Sequence, residues 1–182
     1  MKKIIFPVFI FLFLSIFSKA ALAREIHSAS SAAFAIDTSK SNDNRAAILR
    51  RFLKQYNSPL APFTEDFIES ADRYNLDYRL MVAISGVEST FGHQIPTNSY
   101  NAWGWGIYGN NVIRFSSWNE AIETISRSLR ERYIDKWGGE NVYEIGSMYA
   151  ASPTWASRVV GFMNLIEKYK LTNLKDNLPI TI

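Results

Sequence analysis

The chain has 182 residues, 20 Lys and Arg against 17 Asp and Glu, a formal charge of +3 and no cysteine. Without cysteine there is no disulfide framework, thiol nucleophile or thiolate metal site, so ordinary apolar side chains must hold the fold. The only histidines are His27 and His93, and no His/Asp/Glu group has ligand spacing, which speaks against a metal hydrolase; no metal and no cofactor is expected.

At the N-terminus, Lys2 and Lys3 precede an apolar stretch from Ile4 to Phe17 and a small-residue site, Ala21-Leu22-Ala23. That order is a secretory signal peptide, residues 1–23, and it places the mature chain outside the cytoplasm, secreted or in the cell envelope. The stretch is shorter than the roughly 20 residues that span a bilayer, and Pro7 interrupts it. No stable membrane span is therefore expected after cleavage. Removing residues 1–23 takes away Lys2, Lys3 and Lys19 and no acid, so the formal charge falls from +3 to zero. A mature chain without a basic footprint is a poor partner for nucleic acid.

Residues 24–44 are rich in Ser, Ala, Asn and Asp and read as a flexible linker. A single domain over residues 45–172 follows, with a tail at 173–182, and the chain is expected to act as a monomer. Ile48, Leu49, Phe52, Leu53 and Tyr56 fall at helical spacing, and Phe67, Ile68, Ala71 and Tyr74 mark a second helix after Pro59 and Pro62. Asp77 can cap a third helix, which carries Leu80, Ala83, Ile84 and Val87 and stops close to Gly92. Residues 93–116 mix Gly, Asn and aromatics and read as a loop or small hairpin around Gly109.

Ser117-Trp118-Asn119-Glu120 has the form of a capping box ahead of Ala121, Ile122, Ile125 and Leu129, and Gly138-Gly139 ends that helix. A short helix follows over Asn141 to Ala150, then a break at Pro153 and a last helix from Thr154 to Tyr169. The fold class is thus mainly α. The basic runs Arg50 to Lys54 and Arg127 to Arg132 read as solvated helix faces without chemistry, and His93 as a loop residue beside the site.

Glu88 is the informative residue. It lies four positions after Ile84 and eight after Leu80, on or beside the stripe that faces the core. Burial and the negative end of the helix dipole both disfavour its charged form. A carboxyl kept protonated is what general-acid cleavage of a glycosidic bond needs. The plainer alternative is a structural carboxylate capping amides of the next loop. Downstream come Tyr100, Asn101, Trp103, Trp105 and Tyr108, threaded with Gly104 and Gly106. Sugar rings stack on aromatics and need polar partners for their hydroxyls, so this neighbourhood suits a saccharide groove, with core packing as the alternative for each Trp.

Leu80 to Gly92, with its Glu88-Ser89 pair followed by Phe91-Gly92, resembles the catalytic-Glu helix of the lysozyme-like superfamily, and in particular the glucosaminidase and autolysin branch (mannosyl-glycoprotein endo-β-N-acetylglucosaminidase-like). Asn101 to Gly109, Phe115 to Ile122 and Tyr149 to Ala156 are similar to later motifs of that branch, in the same order, so that the resemblance covers residues 64–169. It implies a lysozyme-like helical domain acting on peptidoglycan or another β-1,4-linked N-acetylglucosamine glycan. Glu88 and Tyr149 would be catalytic, with Tyr149 opposite Glu88, and Ser89, Tyr100, Asn101, Trp103, Trp105 and Tyr108 would bind substrate.

The chain departs from the branch in one respect: residues 89–119 contain no Asp or Glu, where many relatives place a second carboxylate. A single-acid mechanism remains, with Glu88 protonating the leaving oxygen. Attack by the substrate's own acetamide gives an N-acetylglucosaminidase, and attack by its O6 gives a lytic transglycosylase with 1,6-anhydro products. A non-catalytic glycan-binding module is the rival of another class.

Overall fold

The computed structural model describes residues 43–107, 109 and 111–176. The signal-peptide reading, the linker reading up to residue 42, and Tyr108 lie outside the described residues. The elements that follow all lie in one compact unit that begins at Asn44.

Its elements are α1 (Arg45–Gln55), a 3-10 turn (Ala61–Phe63), α2 (Thr64–Arg73), α3 (Leu80–Ser89), α4 (Trp118–Ser128) with a π-helical continuation (Leu129–Lys136), α5 (Val142–Tyr149) and α6 (Trp155–Asp176). The fold is mainly α, as the periodicities predict. The segment between α3 and α4 is irregular, with no extended β-strand among the described residues; Asn111 makes an isolated β-bridge, and residues 108 and 110 of the expected hairpin lie outside the described residues. The last helix runs to Asp176, past the expected start of the tail at residue 173.

Helix α3 is the axis of the domain. Leu80, Met81, Val82, Ala83, Ile84, Ser85 and Gly86 are all buried, so it is covered on every side, the usual reason for a helix to be apolar all round. It packs on α6, while α2 packs on α4, α5 on α6, and α1 on both α2 and α6. Burying each large apolar side chain contributes about 1.5–3 kcal/mol, and Leu49, Phe52, Leu53, Phe67, Ile84, Ile122 and Ile125 are fully inside. Gly86 is part of that packing: a Cβ there would stand 2.6 Å from Cε1 of Phe91.

Two of the helices, α4 and α5, start at a side-chain cap. Ser117 accepts the amide of Glu120 at 3.1 Å, but Glu120 reaches back to the amide and hydroxyl of Ser116, both at 2.6 Å, one residue further than a closed capping box. Asn141 accepts the amides of Tyr143 and Glu144 at 3.0 and 3.1 Å. Asp77 accepts the amide of Arg79 at 2.9 Å and so caps the turn leading into α3 rather than α3 itself.

Helix α3 ends in a run of left-handed residues, Thr90 (φ 52°), Phe91 (φ 57°) and Gly92 (φ 88°). Such backbone costs of order 1–3 kcal/mol per non-glycine residue unless its surroundings over-determine it. Here they do. Phe91 is buried against Phe52 and Phe162, with ring centroids 5.7 and 5.0 Å away, and its carbonyl accepts from Ser58 Oγ at 2.7 Å.

Candidate active site

The strained turn follows directly on Glu88 and Ser89. Ser89 is buried; its hydroxyl donates to the Ala102 carbonyl at 2.7 Å and accepts the Gly92 amide at 2.9 Å. One side chain therefore ties the end of α3 to the turn after it and to the loop at residues 101–106. Asn101 braces that loop from within: its Nδ2 donates to the carbonyls of Trp105 and Ile113 at 2.8 and 3.0 Å, and its Oδ1 accepts the Trp105 amide at 3.0 Å.

The loop lies against the Glu88 carboxyl. A Cβ on Gly104 would sit 2.8 Å from Glu88 Oε2, and Gly104 has φ +62°, so both space and backbone call for glycine here. On its other side Glu88 Oε1 accepts the indole N–H of Trp155 at 2.5 Å. Trp155 opens α6, is buried, and packs against Gly146 of α5, where a Cβ would stand 2.9 Å from Trp155 Cε3. Burial raises the pKa of Glu88, opposed by the Trp155 hydrogen bond and by the charge of Arg158. The inward placement read from Leu80 and Ile84 is present, with the carboxyl half-buried and held by one donor.

Tyr149 closes α5 and stacks on Trp155, with centroids 4.8 Å apart and planes inclined by 24°. Its hydroxyl donates to the Trp103 carbonyl at 2.7 Å. Burial first, and then the nearby Glu88 and Tyr133, hold its pKa well above the ordinary phenol value. Tyr149 and Gly104 both line a cleft of about 340 Å³ whose further walls include Trp105, Ile113, Tyr133 and Trp137. Glu88 does not line this cleft itself; it lies at the edge, beneath Gly104.

The residues expected to touch a sugar thus separate into groups. Trp105 lines the cleft with Tyr149. Trp103 is fully buried, its indole donating to the Met81 carbonyl at 2.9 Å, and Ser89 and Asn101 are equally enclosed. These three side chains frame the loop, with their polar atoms bonded to backbone groups. Tyr100 is 38% exposed and packs edge-on against Trp118 at 5.4 Å, away from the cleft. His93 bonds the Tyr56 carbonyl at 2.8 Å, at the end of α1, rather than any site residue.

Sequence reasoning missed Trp155, Arg158, Arg132, Tyr133 and Trp137. The signal for Trp155 was a large aromatic at the first position of a helix behind Pro153, within the motif that contains Tyr149. Arg132 stood in a run read as solvated; it is exposed, and it also lines the cleft.

No protein-family model and no curated protein matches the chain. Among solved structures it is similar to a catalytic mutant of S. aureus Autolysin E in complex with the disaccharide NAG-NAM, with a TM-score of 0.57 and 17% sequence identity. The match covers 68% of this chain and 66% of that one. At that identity the likeness concerns the fold: the chain has a lysozyme-like helical architecture.

Proposed function

We propose that the chain is an exported peptidoglycan glycosidase of endo-β-N-acetylglucosaminidase type, cleaving β-1,4 linkages with Glu88 as its single general acid. The observation that carries this reading is the Glu88 carboxyl, desolvated, held by Trp155 and set beside an aromatic cleft. The Autolysin E structure holds NAG-NAM, and the shared fold supports the same class of ligand here.

In this reading protonated Glu88 gives its proton to the leaving glycosidic oxygen, and the sugar–oxygen bond breaks as the substrate's acetamide oxygen attacks the anomeric carbon. The Glu88 carboxylate so formed is stabilised by the Trp155 N–H and by Arg158, the same groups that oppose its raised pKa. It then takes a proton from the water that opens the cyclic intermediate, which restores the acid. The Tyr149 hydroxyl, already donating to the Trp103 carbonyl, keeps its oxygen available to accept the acetamide N–H. No second carboxylate is needed. Glu120, the nearest acid after Glu88, is engaged by Ser116 at the start of α4.

Mass spectrometry of peptidoglycan digested by the full chain tests the reaction: products with reducing N-acetylglucosamine ends are expected. A 1,6-anhydro end would show lytic transglycosylation instead, and a reducing N-acetylmuramic end a muramidase. Absence of any product, with glycan still bound, would establish the binding-module alternative.

A further inference from the structure

Away from Glu88 the cleft becomes a wall of rings. Trp105, Tyr133 and Trp137 follow one another with centroid separations of 6.0 and 5.0 Å. Trp137 lines the cleft and leaves 47% of its surface to solvent. The guanidinium of Arg132 lies 5.9 Å from the Trp137 ring centroid, within cation–π range.

The pair is a product of the π-helical continuation. Residues five apart stand roughly 140° around an α-helix and face different ways. In the π-helical segment the Trp137 amide donates to the Arg132 carbonyl at 3.1 Å, the i to i+5 closure that sets one residue over the other. Such turns are rare and concentrate at functional sites.

Charge points to the occupant. Among the described residues that line the cleft, Arg132 is the only charged one. Its neighbour Arg130 is paired with Asp135 at 3.0 Å, whereas Arg132 has no ion pair among the described residues. An aromatic face next to a planar cation, lining a cleft of about 340 Å³, matches a ring with an apolar face and a carboxylate at its edge.

We propose that Arg132 and Trp137 form a specificity subsite for an N-acetylated sugar that carries a free carboxylate, as a muramic-type residue bearing no peptide does; this rests on the glycan reading above. The indole supports the ring while the guanidinium takes the carboxylate. A neutral chitin-type chain offers the ring but not the acid, so it occupies the cleft without that contact.

The test uses the full chain with Glu88→Gln, so that ligand is not consumed, and calorimetric titration with two probes. These are a peptide-free tetrasaccharide of alternating N-acetylglucosamine and N-acetylmuramic acid, and the same molecule with its carboxyls reduced to alcohols. The acid is expected to bind about tenfold tighter than the alcohol. Adding Arg132→Gln should bring the two within about twofold, chiefly by weakening the acid, and Arg132→Lys should restore part of the preference. Equal affinities in the parent, a preference that survives Arg132→Gln, or no binding of either probe would overturn the proposal. Muropeptide release by the parent chain is measured separately. No release with the preference intact sinks the enzymatic reading alone, and release without preference sinks the subsite alone.

Discussion

The indole N–H of Trp155 donates to Glu88 Oε1 at 2.5 Å across 67 positions of sequence. Burial pushes the carboxyl toward its neutral form, and this donor, together with Arg158, pulls it back. The balance suits a group that must release a proton and then recover it within one turnover.

Trp155→Phe removes the donor and leaves the burial less opposed, so the pKa of Glu88 rises. Because the acid works in its protonated form, the alkaline limb of the kcat/KM profile should move to higher pH. The maximal rate should fall by roughly tenfold as the carboxyl loses its orientation. A profile whose alkaline limb stays in place would mean that the bond does not tune the acid.

The raised pKa of Glu88 also has a consequence for stability. Below the unfolded-state value, about 4.3, the carboxyl is neutral in both states and costs nothing. As pH rises through the higher folded-state value, folding becomes progressively less favourable. Glu88→Gln should therefore raise the melting temperature relative to the parent near neutral pH and leave it unchanged near pH ~4, while ending muropeptide release. Melting curves at the two pH values check the first part.

Gly104→Ala places a methyl where the Glu88 carboxyl now lies and strains a backbone with φ +62°. We expect a loss of about 1 kcal/mol or more in urea unfolding and a fall in kcat of at least roughly tenfold, with KM little changed. Wild-type kcat in this variant would show that the carboxyl has room to move without consequence.

Ser89→Ala leaves the Gly92 amide and the Ala102 carbonyl without their buried partner. The expected cost is about 1–3 kcal/mol of stability, with KM for glycan unchanged in the folded fraction. A raised KM at unchanged stability would return Ser89 to the substrate side of the site.

Much of the helical frame was legible because apolar spacing records it: Ile48, Leu49 and Phe52 define α1, and Ala121, Ile122 and Ile125 define α4. The inward face of Glu88 follows from Leu80 and Ile84 by the same rule. The loop after α3 has no period to read, and Trp103 and Trp105 are chemically alike there. Only tertiary packing sends the first into the core and the second to the cleft. Trp155 escaped for a related reason, since its partner is distant in sequence and an aromatic opening a helix is ordinary core material. The π-helical turn was hidden because nothing in Leu129 to Lys136 marks the surplus residue.

That wider winding is a switch in heritable terms. A substitution that returned Leu129–Lys136 to ordinary α-helical winding at the same length would set Arg132 and Trp137 roughly 140° apart and swing one off the other. The acid on α3, anchored by a different helix, would remain where it is. In the proposed reading, ligand preference and bond breaking are thereby built on separate parts of the chain, so a lineage can exchange the first by a change of winding in one helix and keep the second intact.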